Sequence, residues 1–279
     1  MNSKGWVTSC SSGAVLKYRL LLFKTLIMKT LILGDTHGTS FWKLITHIEQ
    51  PDRVIFIGDY FDSFDIKLEE QLNNFLDIIQ YKKDADIEVI CLIGNHDHHY
   101  FPEIGDTGTS GYQYMGGFQI GPVLDANREH LQIAYRMDDF LFTHAGVSAK
   151  FMDSVFGVDG WTVDTIVDQL NELFKHKPNT FSFGMAVSMK KMSYIDPTGD
   201  NEEQSPIWIR IRSLIRANKD TELKNTFKQV VGHTQVTKID LIGYEKAFGN
   251  KYFMIDALNT SGEYITIEDG VIHVKSIKS

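Results

Sequence analysis

The sequence predicts an α/β domain of mixed sheets flanked by helices. Three short apolar runs near the start, Leu31–Leu33, Arg53–Ile57 and Glu88–Ile93, each stop at a Gly followed by Asp or Asn. Amphipathic stripes with helical spacing separate these runs. The last third of the chain is dominated by further strand-like runs. Alternating units followed by a series of strands give mixed sheets with helices on their faces.

The elements follow in order. The first strand ends in Gly34-Asp35-Thr36-His37-Gly38. Ser40 to Glu49 reads as a helix, because Phe41, Trp42, Leu44, Ile45 and Ile48 make one apolar stripe. The second strand stops at Gly58-Asp59. A helix from about Leu68 to Tyr81 buries Leu72, Phe75, Leu76, Ile78 and Ile79, with Asp65, Glu69 and Glu70 at its N-terminal turn. The third strand stops at Gly94-Asn95-His96-Asp97. The Gly- and Tyr-rich stretch 105–121 reads as a long loop, with Tyr112, Tyr114 and Phe118 packed in it. Phe140–Thr143 is a strand running into His144-Ala145-Gly146. An insert over 147–205 begins helical, on the face of Ile166, Val167, Leu170 and Leu173, and turns polar from Asp196. Lys228–Val231 leads into Gly232-His233-Thr234, and Val236–Tyr244, Tyr252–Ile255, Tyr264–Glu268 and Val271–Lys275 read as β.

Composition narrows the function class. Apolar residues make up 43% of 279, enough for a substantial core. With 28 Lys and Arg against 36 Asp and Glu, the net charge is −8. Such a chain gains little counterion-release affinity, which argues against a general nucleic-acid binder. No run of about 18 apolar residues exists to cross a membrane. Cys10 and Cys91 form no disulfide framework or metal pair, so the expected location is the cytoplasm. Residues 1–27 carry no motif residue and read as an N-terminal extension. The domain proper is expected over 28–279, with Met28 a candidate first residue.

The polar residues at the strand ends make one constellation: Asp35 and His37, Asp59 and Asp62, Asn95 and His96, then His144 and His233. Ligands bind where loops leave the carboxyl ends of strands in such sheets. Asp35 and His37, two residues apart, can face one ion, and a carboxylate such as Asp59 can bridge two. Mixed imidazole, carboxylate and amide donors suit Mn, Fe, Zn, Co or Ni better than Ca or Mg. Two ions about 3.5–4 Å apart are a known device for phosphoryl displacement.

The motifs Gly34-Asp35-Thr36-His37-Gly38, Gly58-Asp59-Tyr60-Phe61-Asp62, Gly94-Asn95-His96-Asp97, His144-Ala145-Gly146 and Gly232-His233 resemble the calcineurin-like metallophosphoesterase superfamily. The phosphoprotein-phosphatase branch, which includes Ser/Thr protein phosphatases and symmetrical diadenosine tetraphosphate hydrolases, is the most similar. The resemblance implies a single-domain αββα sandwich of mixed sheets with a helical insert. It implies two divalent transition-metal ions, manganese first: Asp35 and His37 on one, Asn95, His144 and His233 on the other, Asp59 bridging. It further implies a metal-bridging hydroxide as nucleophile and His96 as general acid, oriented by Asp62.

Three departures matter. Ser63 stands where an Arg clamp is usual in that branch, and Asp97 replaces its Glu, as in phosphodiesterases of the superfamily. The third departure is from those phosphodiesterases, which end in Gly-His-x-His where this chain has Gln235, and it favours the phosphatase branch. Arg210, in the segment Pro206-Ile207-Trp208-Ile209-Arg210, is the candidate replacement phosphate clamp. Arg212 and Arg216 read as a solvated helix face. The substrates expected are phosphorylated small molecules, nucleotides or phosphoproteins, with phosphomonoester hydrolysis leading. Diadenosine tetraphosphate hydrolase, nucleotidase, and phosphodiesterase or nuclease are the alternatives. A catalytically silent scaffold is the non-enzyme reading, against which His96, Asp62 and Asp59 all stand. His47, His130, His176 and His273 read as structural, and His98 and His99 as surface residues or supports of the catalytic loop.

Overall fold

The computed structural model describes residues 28–105, 111–184 and 201–278. The expected extension over 1–27 and the stretch 185–200 of the expected insert lie outside the described residues. Ten strands are described: β1 Thr30–Leu33, β2 Arg53–Phe56, β3 Glu88–Leu92, β4 Leu131–Gln132, β5 Ala134–Met137, β6 Phe140–Thr143, β7 Lys228–Val231, β8 Tyr252–Met254, β9 Glu263–Glu268 and β10 Val271–Ser276. They form a six-stranded sheet in the order β10-β9-β1-β2-β3-β4 and a four-stranded sheet in the order β5-β6-β7-β8. β1 to β4 run parallel, β9 and β10 close one edge antiparallel, and β6, β7 and β8 run parallel beside an antiparallel β5.

The strict period of two in the strands sorts their side chains into two cores. Ile32, Ile55, Ile90 and Leu92 pack with Phe140, Phe142, Val230 and Phe253 between the sheets. Their neighbours Leu31, Leu33, Val54, Phe56, Val89 and Cys91 face the opposite side and pack on Trp42, Ile45, Phe75, Ile78 and Leu124 of the flanking helices. On the second sheet Leu141, Gln229 and Tyr252 are register partners. Tyr252 packs against Leu214 of the helix Ile211–Ala217. The result is helix, sheet, sheet, helix. A fully buried aliphatic side chain contributes about 1.5–3 kcal/mol, so these doubly covered strands are the stable frame on which the loops are hung.

Two expectations are corrected. Of the loop expected over 105–121, residues 106–110 lie outside the described residues and 114–121 belong to a helix, Tyr114–Ala126, on which Tyr114 and Phe118 are exposed rather than packed. Its glycines are there for close approach: a Cβ on Gly121 would lie 2.7 Å from the Tyr100 carbonyl oxygen. The strand over Val236–Tyr244 is instead a turn followed by the helix Leu241–Phe248. Asp240 caps this helix, its carboxylate accepting from the Gly243 N–H. The β-branched residues there suggested a strand, but the cap decided otherwise.

Candidate functional site

The parallel strands β1, β2, β3, β6 and β7 all deliver their following loops to one end of the sandwich. Burial at that end is severe for polar groups: Asp35 is 1% exposed, Asp59 2%, Asn95 2% and His144 0%. Two glycines make the approach possible. A Cβ on Gly94 would fall 2.0 Å from Asp59 Oδ1, and one on Gly232 would fall 2.0 Å from Asp35 Oδ1. His37, Asp59, Asp62 and His233 hold left-handed backbone with φ of 42°, 53°, 65° and 60°. Non-glycine residues pay for that conformation, and such strain collects at functional sites. Asp97 pins the loops, its carboxylate accepting from the N–H groups of Asp59 (2.8 Å), Tyr60 (2.7 Å) and Gly94 (2.9 Å). Its presence in place of Glu therefore has a structural use.

Backbone carbonyls set the histidine tautomers, because a carbonyl can only accept. His37 Nδ1 donates to Phe61 O at 2.6 Å, His144 Nδ1 to Ile57 O at 3.1 Å, and His233 Nε2 to Trp208 O at 3.1 Å. The lone-pair nitrogens then face oxygens. His144 Nε2 lies 3.0 Å from Asn95 Oδ1 and 3.3 Å from Asp59 Oδ2, and His233 Nδ1 lies 2.8 Å from Asn95 Oδ1. His37 Nε2 sits 3.8 Å from the same Asp59 Oδ2. Burial, with His144 and Arg210 nearby, holds His233 well below the usual imidazole range, so it is neutral. Lone pairs turned on acceptor oxygens at these distances are arranged to share a cation.

The carboxylates tell the same story. Burial and the neighbouring charges of Asp256 and Asp59 push the Asp35 carboxyl well up. Burial would also raise Asp59, but positive charge at His144 and His96 holds it well down, and a bound cation would supply that charge where His144 keeps its lone pair. Ligand atoms of Asp35, His37 and Asp59 lie within 4.8 Å of one another. This donor set fits divalent metal ions: carboxylate oxygens, neutral imidazole nitrogens with their other N–H tied to carbonyls, and one amide oxygen.

Beside this cluster, Asp62 gathers donors. Its Oδ2 accepts from His96 Nδ1 at 2.8 Å and from His99 Nε2 at 2.9 Å, and its Oδ1 from Tyr100 OH and from Gln113 Nε2 at 3.3 Å. Asp62, His96 and His99 also have the spacing of a metal trio. Four hydrogen-bond donors already converge on the one carboxylate, which makes it a hub rather than a ligand. Burial would depress His96, but the charge of Asp59 and the hydrogen bond to Asp62 push it up to about 9. His96 N also donates to Asp59 Oδ1 at 2.9 Å, tying the hub to the cluster. Arg210 is exposed, and its Nη1 donates to the His233 carbonyl at 3.1 Å.

All eight strand-end residues thus meet at one end of the sandwich, and the calcineurin-like phosphoesterase family matches residues 28–210. The chain belongs to that family. This phosphoesterase shares its fold with a cold-active protein tyrosine phosphatase of a psychrophilic Shewanella species, with a TM-score of 0.59 at 19% identity over 90% of this chain and 78% of the other. A protein serine/threonine phosphatase from Saccharomyces cerevisiae gives a TM-score of 0.52 at 13% identity, over 91% and 81% of the two chains. No curated protein matches the chain in sequence. The family and the Asp/His cluster together make this a metallophosphoesterase domain with a divalent metal centre.

Sequence reasoning missed Asp256. It is 5% exposed and its carboxylate hydrogen-bonds with that of Asp35. The signal was present, since Tyr252–Ile255 is another apolar strand ending in an acid. His98 and His99 were expected at the surface or as supports, and both are buried supports. His98 Nε2 donates to Pro178 O at 2.9 Å, and His99 holds Asp62. Ser63 replaces the clamp with a turn: its hydroxyl accepts from the N–H of Asp65 (3.3 Å) and Ile66 (3.1 Å). Among the described residues, no helix is long and apolar enough to cross a membrane.

Proposed function

We propose that this phosphoesterase hydrolyses phosphomonoesters, using two divalent transition-metal ions, manganese first among them. Asp35 and His37 would hold one ion, Asn95, His144 and His233 the other, and Asp59 would serve both. The observation that carries this is the convergence of lone pairs from His144 and His233 on Asn95 Oδ1, beside the bridging Asp59. Bound ions would lower the pKa of a coordinated water and offset the charge of the phosphate oxygens.

The remaining work falls to the chain. Three backbone carbonyls keep His37, His144 and His233 in one tautomer and one orientation. His96 gives a proton from Nε2 to the leaving oxygen, while Asp62 holds Nδ1 and keeps the ring aimed. Arg210 sits against His233, close enough to Asp59 and Asp35 to feel their charge, and grips phosphate oxygens. Both solved neighbours are protein phosphatases by description, which supports a monoester substrate: a phosphoprotein, a nucleotide or a phosphorylated small molecule. Residues 147–205, between His144 and His233, would shape substrate choice, and 1–27 would be dispensable. A cytoplasmic location fits a chain with two cysteines, of which Cys91 is a buried thiol pushed up to about 11 by burial.

The test is parallel turnover of p-nitrophenyl phosphate, its bis-ester and diadenosine tetraphosphate with Mn²⁺ added. Preference for the monoester supports the reading. Faster cleavage of the bis-ester or of the dinucleotide overturns it.

A further inference from the structure

The cavity beside His96 has walls that the proposed chemistry does not use. It holds about 370 Å³ and is lined by His37, Asp62 and His96 on the catalytic side, and by Phe64, Asp65 and Ile66 on the other. Ser63, Gln235 and Asn259 complete it. Among the described residues that line it there is no Lys or Arg, and Asp65 adds a negative charge. Beyond the catalytic wall of His37 and His96, a leaving group carrying further phosphates would find no cationic partner among the described lining residues and would meet the repulsion of Asp65.

Phe64 is the unusual wall. It is 88% exposed, and a large ring left in water is unfavourable by its lost burial. The loop that carries it is nonetheless built. Ser63 Oγ caps the turn, and the buried Gln71 reads both sides of it. Gln71 Oε1 accepts from Ser63 N at 3.3 Å, and its Nε2 donates to Ser63 O at 3.4 Å and Ile66 O at 2.6 Å. Phe64 is thus presented at the mouth of the cavity rather than left over.

We propose that Phe64, with Ile66 behind it, is an aryl-binding subsite for the leaving group. The substrates are then phosphate esters of aromatic alcohols, of the phosphotyrosine type. This rests on the phosphomonoesterase reading. The phosphate would sit at the metal cluster and the ring would pass His96 into the cavity, where Phe64 can stack on it. The polyphosphate leaving groups of dinucleotides are disfavoured by the same walls.

The test separates binding from turnover. Phenylphosphonate and methylphosphonate, which cannot be hydrolysed, are titrated calorimetrically into the manganese-supplemented full chain. The aryl ligand is expected to bind about fivefold more tightly, a ratio typical of one ring contact. Phe64→Ala should bring the ratio to about one, and Phe64→Trp should keep it or raise it. Equal affinities in the wild type, or an unchanged ratio in Phe64→Ala, would overturn the subsite. Turnover of phenyl phosphate against diphenyl phosphate is the second arm. Cleavage of the diester alone with the affinity ratio intact overturns the monoester reading and leaves the aryl subsite standing. Free phosphotyrosine against a phosphotyrosyl peptide then assigns the ring to a small molecule or to a protein side chain.

Discussion

The Oδ1 of Asn95 lies 2.8 Å from His233 Nδ1, although 138 residues separate them in sequence. Both atoms are acceptors, since the other ring nitrogen of His233 spends its hydrogen on the Trp208 carbonyl. Two lone pairs held this close are suited to share a cation.

Metal content checks that conclusion. Protein purified without chelator is expected to carry up to two transition-metal ions per chain by elemental analysis, and EDTA should abolish activity. Asp59→Asn, which weakens the residue facing both His37 and His144, should lose metal and turnover together. Retention of both ions with full turnover would remove Asp59 from the bridging position.

Leaving-group dependence checks His96. A positioned acid is worth about 10²–10⁴-fold when the departing oxygen is basic. His96→Asn should lower kcat by that order on phenyl phosphate and by clearly less on p-nitrophenyl phosphate, with metal content unchanged. Asp62→Asn should show the same trend in milder form, because it holds the ring rather than giving the proton. Equal slowing of both esters would mean that His96 binds phosphate as a cation.

Arg210 is tested by splitting KM from kcat. Arg210→Ala should raise KM for phosphomonoesters by about tenfold, the worth of one charge-assisted contact. Arg210→Lys should recover only part of it, since an ammonium cannot grip two oxygens in a fixed fork. An unchanged KM in Arg210→Ala would leave Arg210 as a support of the His233 loop alone.

A pH effect on stability follows from His98. Burial pushes it down to about 4, while an unfolded histidine titrates near 6.5. The folded form therefore resists the proton that the unfolded chain accepts. Stability is full above about 6.5 and falls as pH drops through 6.5 toward 4, by up to about 3 kcal/mol. Thermal unfolding of His98→Gln, which keeps a donor for Pro178, should show a shallower fall over that window. Parallel pH curves for the two proteins would show that His98 is not the group responsible.

The αββα class and the eight strand-end residues were legible in the chain because each rests on local rules. Short apolar runs alternate between two faces, and of those leading to these eight residues all but the one ending at Thr143 stop at a Gly that precedes the polar residue. The glycines at 94 and 232 mark close approach in the sequence, while what approaches them, the carboxylates of Asp59 and Asp35, is visible only in the fold. The helices Tyr114–Ala126 and Leu241–Phe248 were hidden for related reasons. Glycine content argued against the first and β-branched residues against the second, and tertiary packing and an Asp cap outweighed those small propensities. Asp256 follows an apolar run as the other acids do, but nothing local says which carboxylate it meets, and His99 belongs to no local pattern. Their roles come from a hydrogen bond to Asp35 and another to Asp62, groups 221 and 37 residues away in the chain. Local chemistry is written in neighbouring residues. Which nitrogen of each histidine carries its proton, and so which lone pair is left for a metal, depends on backbone carbonyls that only the folded chain brings within reach.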